Sequence, residues 1–115
     1  MKLPNGGSAV VDIAKLRGYC LSAQHPEGRH KARVFLATLG MSVTDADKLL
    51  EILLSAAAAN DDVAMTGADE YGRRYTMDAH VVFGSRGAIV RSAWIIKTGE
   101  DFPRLVSCYV LRGDA

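Results

Sequence analysis

At 115 residues the chain is long enough for one domain with its own core and too short for two of ordinary size. Its 49% hydrophobic and 23% charged residues exclude a disordered segment, and under a net charge of +1 the basic clusters Arg29–Arg33 and Arg73–Arg74 read either as a small anionic site, rather than a broad nucleic-acid stripe, or as a solvated surface of mixed charge. No apolar run reaches the roughly 18 residues of a membrane span, and MKLPNGGSAVV has Pro, Asn and Gly where a signal peptide places its apolar stretch, so the expectation is a cytoplasmic protein with no membrane association.

Residues 1–10 read as a flexible lead. VDIAKLRGYC then predicts a short first helix, with Asp12 as N-cap and Ile13, Leu16 and Cys20 at helical spacing. A second helix is expected from His25, because Pro26 suits the first helical position, Glu27 favours the positive end of the dipole, and Gly40 ends the run. At about 100° per residue, Gly28, Ala32, Phe35 and Leu39 share the face that packs on a sheet. Lys31 flanks that face, and His30 points nearly opposite. Gly28 reads as the point where this helix approaches the sheet closely. TDADKLLEILLSAAAA gives a third helix, with Thr44 as its cap and Asp45 and Asp47 in its first turn.

After Asn60 the period changes to two. RRYTMDAHVVF alternates Tyr75, Met77, Ala79, Val81 and Phe83 against Arg74, Thr76, Asp78 and His80. GSRG is a tight turn, AIVRSAWIIK a returning strand, TGEDFP a loop and RLVSCYVL a further strand, with a short extra strand near Val63–Met65. The fold class is therefore α+β: three N-terminal helices packed on one face of a three- to four-stranded antiparallel sheet, in a single domain spanning residues 1–115.

The chemistry-bearing residues gather in LSAQHPEGRHKARVF. His25 either precedes the second helix in a turn or stands at its N-terminus, where backbone amides favour a phosphate. Lys31 falls at the margin of the core, where a charge is costly without a partner. His30, Arg29 and Arg33 read as solvent-side residues, and no role is assigned to His30 or His80. Arg91 is the lone charge in an apolar strand, so it is either a cation aimed at a ligand or a paired structural arginine. Ser107 and Tyr109 share a face with Leu105 and Leu111, so their hydroxyls either bond within the core or line a pocket. Trp94 and Tyr75 read as core, and Cys20 and Cys108 as buried thiols rather than a bridge.

HPEGRHKARVF, EYGRRY, SAWII and FPRLVSCYV, in that order, resemble a family of small uncharacterised bacterial proteins with a His-Pro-x-Gly-x-x-Lys-Ala motif, over about residues 12 to 111. That family in turn resembles toxin-type ribonucleases of the barnase, EndoU, colicin E5 and RelE fold, through its architecture and a terminal Arg-x-x-Ser/Thr-x-Tyr pattern. The resemblance marks His25, Gly28 and Lys31 in the helix, Tyr71, Gly72 and Tyr75 in the first strand, Trp94 in the second, and Arg104, Ser107 and Tyr109 in the last.

Metal-independent RNA cleavage needs a base for the ribose 2′-proton, an acid for the leaving 5′-oxygen, and cations to hold the phosphate. His25 suits the proton transfers, Ser107 and Tyr109 the hydrogen bonds to the phosphate, and Lys31, Arg104 and Arg91 its charge. No metal or cofactor is implied, since His-x-x-x-His and Cys-x-x-Cys spacings are absent from the sequence. The expectation is a metal-independent endoribonuclease of toxin type acting on RNA, with a small antitoxin-like protein from an adjacent gene as partner. The alternative is a non-catalytic protein- or anion-binding module, a partner in a toxin-antitoxin-like or phage-defence locus.

Overall fold

The alternating half of the chain forms one antiparallel sheet. In the computed structural model, which describes residues 1–111, β1 (Val63–Asp69), β2 (Gly72–Phe83), β3 (Arg86–Lys97) and β4 (Arg104–Val110) lie in the order β1-β2-β3-β4. The register of β2 against β3 runs unbroken from Gly72 opposite Lys97 to Phe83 opposite Arg86. The two-residue period therefore puts Tyr75, Met77, Ala79 and Val81 on one face with Val90, Ser92 and Trp94, and all seven are buried. Arg74, Thr76, Asp78 and His80 take the opposite, more open face.

Helices cover the buried face. α1 is an α-turn at Ile13–Lys15 continued by a wider, π-type turn at Leu16–Cys20. Asp12 caps it, accepting from the amide of Ala14 at 3.0 Å. α2 (Gly28–Leu39) buries Gly28, Ala32, Phe35 and Leu39, the stripe its spacing predicts, and α3 (Ala46–Ala59) buries Ala46, Leu49, Leu53 and Ala57. Phe35, Leu39, Leu49, Leu53, Met77 and Trp94 meet in the core at 1% exposure or less. Each such side chain contributes roughly 2 kcal/mol by leaving water. The Trp94 indole N–H donates to Ser92 Oγ at 2.8 Å, so the buried Ser92 hydroxyl between the layers is satisfied. No helix among the described residues is long and apolar enough to cross a membrane.

Five local expectations are corrected. α2 begins at Gly28 rather than His25, because the His25 side chain ties up the amides of Glu27 and Gly28 ahead of the first turn. Gly28 does approach backbone closely, but that backbone is α1: a Cβ there would overlap the Tyr19 carbonyl. α3 is preceded by a 3₁₀ turn at Val43–Asp45, with Asp45 rather than Thr44 at its N-cap and the Ser42 amide donating to Asp45 Oδ2 at 2.9 Å. Residues 1–10 pack on the domain: Leu3 is 3% exposed, and Val10 pairs with Arg104, with the Leu105 amide donating to Val10 O at 3.0 Å. Finally, β4 carries a bulge at Val106, so Leu105 faces the core opposite Trp94 while Ser107 pairs with Ala93 and Tyr109 with Arg91 on the other face. Ser107 and Tyr109 therefore do not share a face with Leu105.

Candidate functional site

α2 lies against the edge strand β4, and Lys31 bridges the gap between them. Its ammonium donates to the Tyr19 hydroxyl at 2.9 Å, lies 4.8 Å from the centre of the Tyr19 ring and 6.0 Å from that of Tyr109. Among the described residues no carboxylate comes within 4.0 Å of it. The accepting Tyr19 hydroxyl holds the Lys31 pKa above the ordinary lysine value, against the opposing effect of partial burial. Lys31 is thus a permanent cation whose neighbours are a hydroxyl and two aromatic faces.

Beside it opens a cleft of about 490 Å³ lined by His30, Lys31, Val34, Ser107, Tyr109 and Val110. On the far side of Tyr19 a second opening of about 610 Å³ runs from Asp12 and Lys15 back to Ser107. A larger hollow of about 880 Å³ lies between α3 and β2, but its cation, Lys48, already stands 4.0 Å from Glu51. What sets the Lys31 cleft apart is that its cation is already held in place, by the Tyr19 hydroxyl and beside Ser107 and Tyr109.

The expected site residues divide into two groups. Lys31, Ser107 and Tyr109 converge on one cleft. His25 stands one residue back from it: its ring meets the Tyr19 ring edge-on with centroids 4.8 Å apart. Its Nδ1 accepts from the amides of Glu27 at 3.1 Å and Gly28 at 2.9 Å, so it precedes α2 in a turn and caps it. That bonding leaves the ring proton on Nε2, and a proton taken at Nδ1 would break both bonds.

Arg91 and Arg104 have their charges matched within the chain. Arg91 grips Asp78 through two hydrogen bonds of 2.7 Å, which hold the Asp78 carboxyl below and the guanidinium above their usual ranges. Arg104 grips Glu100 at 2.8 and 2.9 Å and lies 4.8 Å from the Phe102 ring. Neither lines the Lys31 cleft.

Two residues escape sequence reasoning. Tyr19 holds Lys31 in place, yet on an ideal helical wheel nothing directs it to the second helix; the wide turn at Leu16–Cys20 does that. His30 is exposed, as its wheel position predicts, but the β4 edge rises beside it and turns that solvent face into a cleft wall. The signal available was its adjacency to Lys31. Among the described residues no three His, Cys, Asp or Glu side chains gather where they could hold a metal ion.

Over residues 2–112 the chain matches the DUF6883 family, a domain of unknown function, and it belongs to that family. No curated protein matches it. Among solved structures it is similar to a chain of a contact-dependent growth inhibition toxin–immunity protein complex from Klebsiella pneumoniae 342, with a TM-score of 0.71 and 15% identity. The match covers 89% of this chain and 99% of that one. At that identity the likeness is one of fold.

Proposed function

We propose that this protein is a metal-independent endoribonuclease of toxin type, with the Lys31 cleft as its active site. The observation that carries the reading is Lys31 itself: a half-buried ammonium with no carboxylate partner among the described residues, beside two hydroxyl-bearing strand residues and a histidine. A scissile phosphate seated there receives charge stabilisation from Lys31 and hydrogen bonds from Ser107 and Tyr109, an arrangement worth most where negative charge develops. The exposed ring of His30 takes the 2′-proton, a role that His25 fits poorly while its Nδ1 caps α2, and water protonates the leaving 5′-oxygen. His25 then acts through Tyr19, as a positioning residue. Tyr19 and Tyr109 offer faces on which a base can stack.

The fold shared with one chain of a toxin–immunity protein complex is in keeping with either a toxin or an immunity-like role and with a small protein partner. Purified protein incubated with tRNA or total RNA in EDTA is expected to leave 2′,3′-cyclic phosphate ends. Lys31→Ala and His30→Ala each lower the rate by roughly 10²- to 10⁴-fold while keeping the wild-type circular dichroism spectrum. Intact RNA after incubation with the wild type would overturn the enzyme reading and leave the non-catalytic anion- or protein-binding module.

A further inference from the structure

The only two cysteines, 88 positions apart, meet beneath the cleft. Cys20 ends α1 and Cys108 lies on the buried face of β4; both are free and 0% exposed. The Cys108 amide donates to Cys20 Sγ at 3.4 Å, which brings the two buried cysteines side by side. Their chain neighbours are the cleft's own residues: Tyr19 precedes Cys20, and Ser107 and Tyr109 flank Cys108. We propose that Cys20 and Cys108 are a redox-active pair, the site of a reversible disulfide formed by a peroxide, which ties α1 to β4 under the cleft.

The pair is asymmetric, which is what such chemistry requires. The hydrogen bonds from Cys108 draw the Cys20 thiol down to about 7, aided by the charges of Lys31 and Lys15 and opposed by burial, whereas bonding to Cys20 and burial push Cys108 up. Cys20 thiolate attacks hydrogen peroxide, a water-sized oxidant, breaking its O–O bond to give Cys20 sulfenic acid and hydroxide. The Cys108 thiol then displaces water from that sulfenic acid, forming the S–S bond. Overall two thiols lose two electrons and two protons, and one peroxide becomes two waters. A thiol reductant reverses the step by exchange. A disulfide holds its two Cβ atoms roughly 3.8 Å apart, so the bond would fix the spacing of Tyr19 from Ser107 and Tyr109.

The test treats the full-length wild type with equimolar hydrogen peroxide, then alkylates it in denaturant. The expected result is a monomer lighter by roughly 2 Da, whose two cysteines resist alkylation until reductant is added, with a peptide linking Cys20 to Cys108. Cys108→Ala should accumulate sulfenic acid on Cys20 that dimedone traps. Two fully alkylated cysteines, or bridges formed only between chains, would overturn the proposal. Sulfenic acid on Cys108 in Cys20→Ala, with none on Cys20 in Cys108→Ala, would overturn the assignment of roles. None of these readouts depends on RNA cleavage.

Discussion

Lys31 and Arg91 are both cations beside Tyr109, yet their partners differ in kind. Arg91 is locked to the Asp78 carboxylate by two charge-assisted bonds, and Arg104 is locked in the same way to Glu100. Lys31 is held by one neutral hydroxyl and two aromatic faces. A matched ion pair has little left to offer an incoming phosphate without first breaking. A cation held by hydroxyls and rings keeps its full charge for an anion, and its position is already fixed.

The largest effect that can break this contrast is on turnover. Lys31→Ala should reduce RNA cleavage at least about 100-fold in a gel assay, whereas Arg104→Gln should leave it within about twofold. Comparable losses in both would erase the distinction. Next comes the frame of the cleft. Gly28→Ala drives a Cβ into the Tyr19 carbonyl and should cost about 3 kcal/mol in chemical denaturation, while Gly67→Ala, which meets open space, should cost well under 1 kcal/mol. The hydroxyl itself is third: Tyr19→Phe keeps the ring but removes the acceptor, so Lys31 should titrate lower by NMR and cleavage should fall roughly tenfold.

The smallest effect belongs to the matched pair. Asp78 has its pKa lowered in the fold, so its contribution to stability is present above the unfolded value of about 3.9 and is lost as pH falls through the lower folded value. Asp78→Asn should therefore be less stable than the wild type by about 0.5–1 kcal/mol near neutrality, after allowance for solvent screening. The gap should close below about pH 4, as followed by urea melts across pH.

Much of the architecture was legible because it follows from period and composition. Tyr75, Met77, Ala79 and Val81 alternate against polar neighbours, and the observed β2 buries that set. Asp12 and Gly40 mark helix ends by their chemistry, Gly40 with φ of 71° at the end of α2. The site was less legible because it depends on departures from ideal geometry. A π-type turn aims Tyr19 at Lys31, and a bulge at Val106 reverses the face of Ser107 and Tyr109 relative to Leu105. Neither departure has a marker in the residues that make it. Ion pairing was equally hidden: Asp78 lies 13 positions before Arg91, and only the hairpin register brings them opposite. His25 was placed correctly near the helix start, but whether its ring faces solvent or caps the backbone is decided by the turn that begins at Ser22.

Phosphate binding at Lys31 rather than at the paired arginines is tested by titrating isotope-labelled protein with a 3′-mononucleotide in EDTA. The predicted result is saturable chemical-shift change centred on Tyr19, His30, Lys31, Ser107 and Tyr109, with the Arg91 and Arg104 side-chain signals unmoved. Shifts centred on Arg91 or Arg104 with Lys31 unchanged would contradict it.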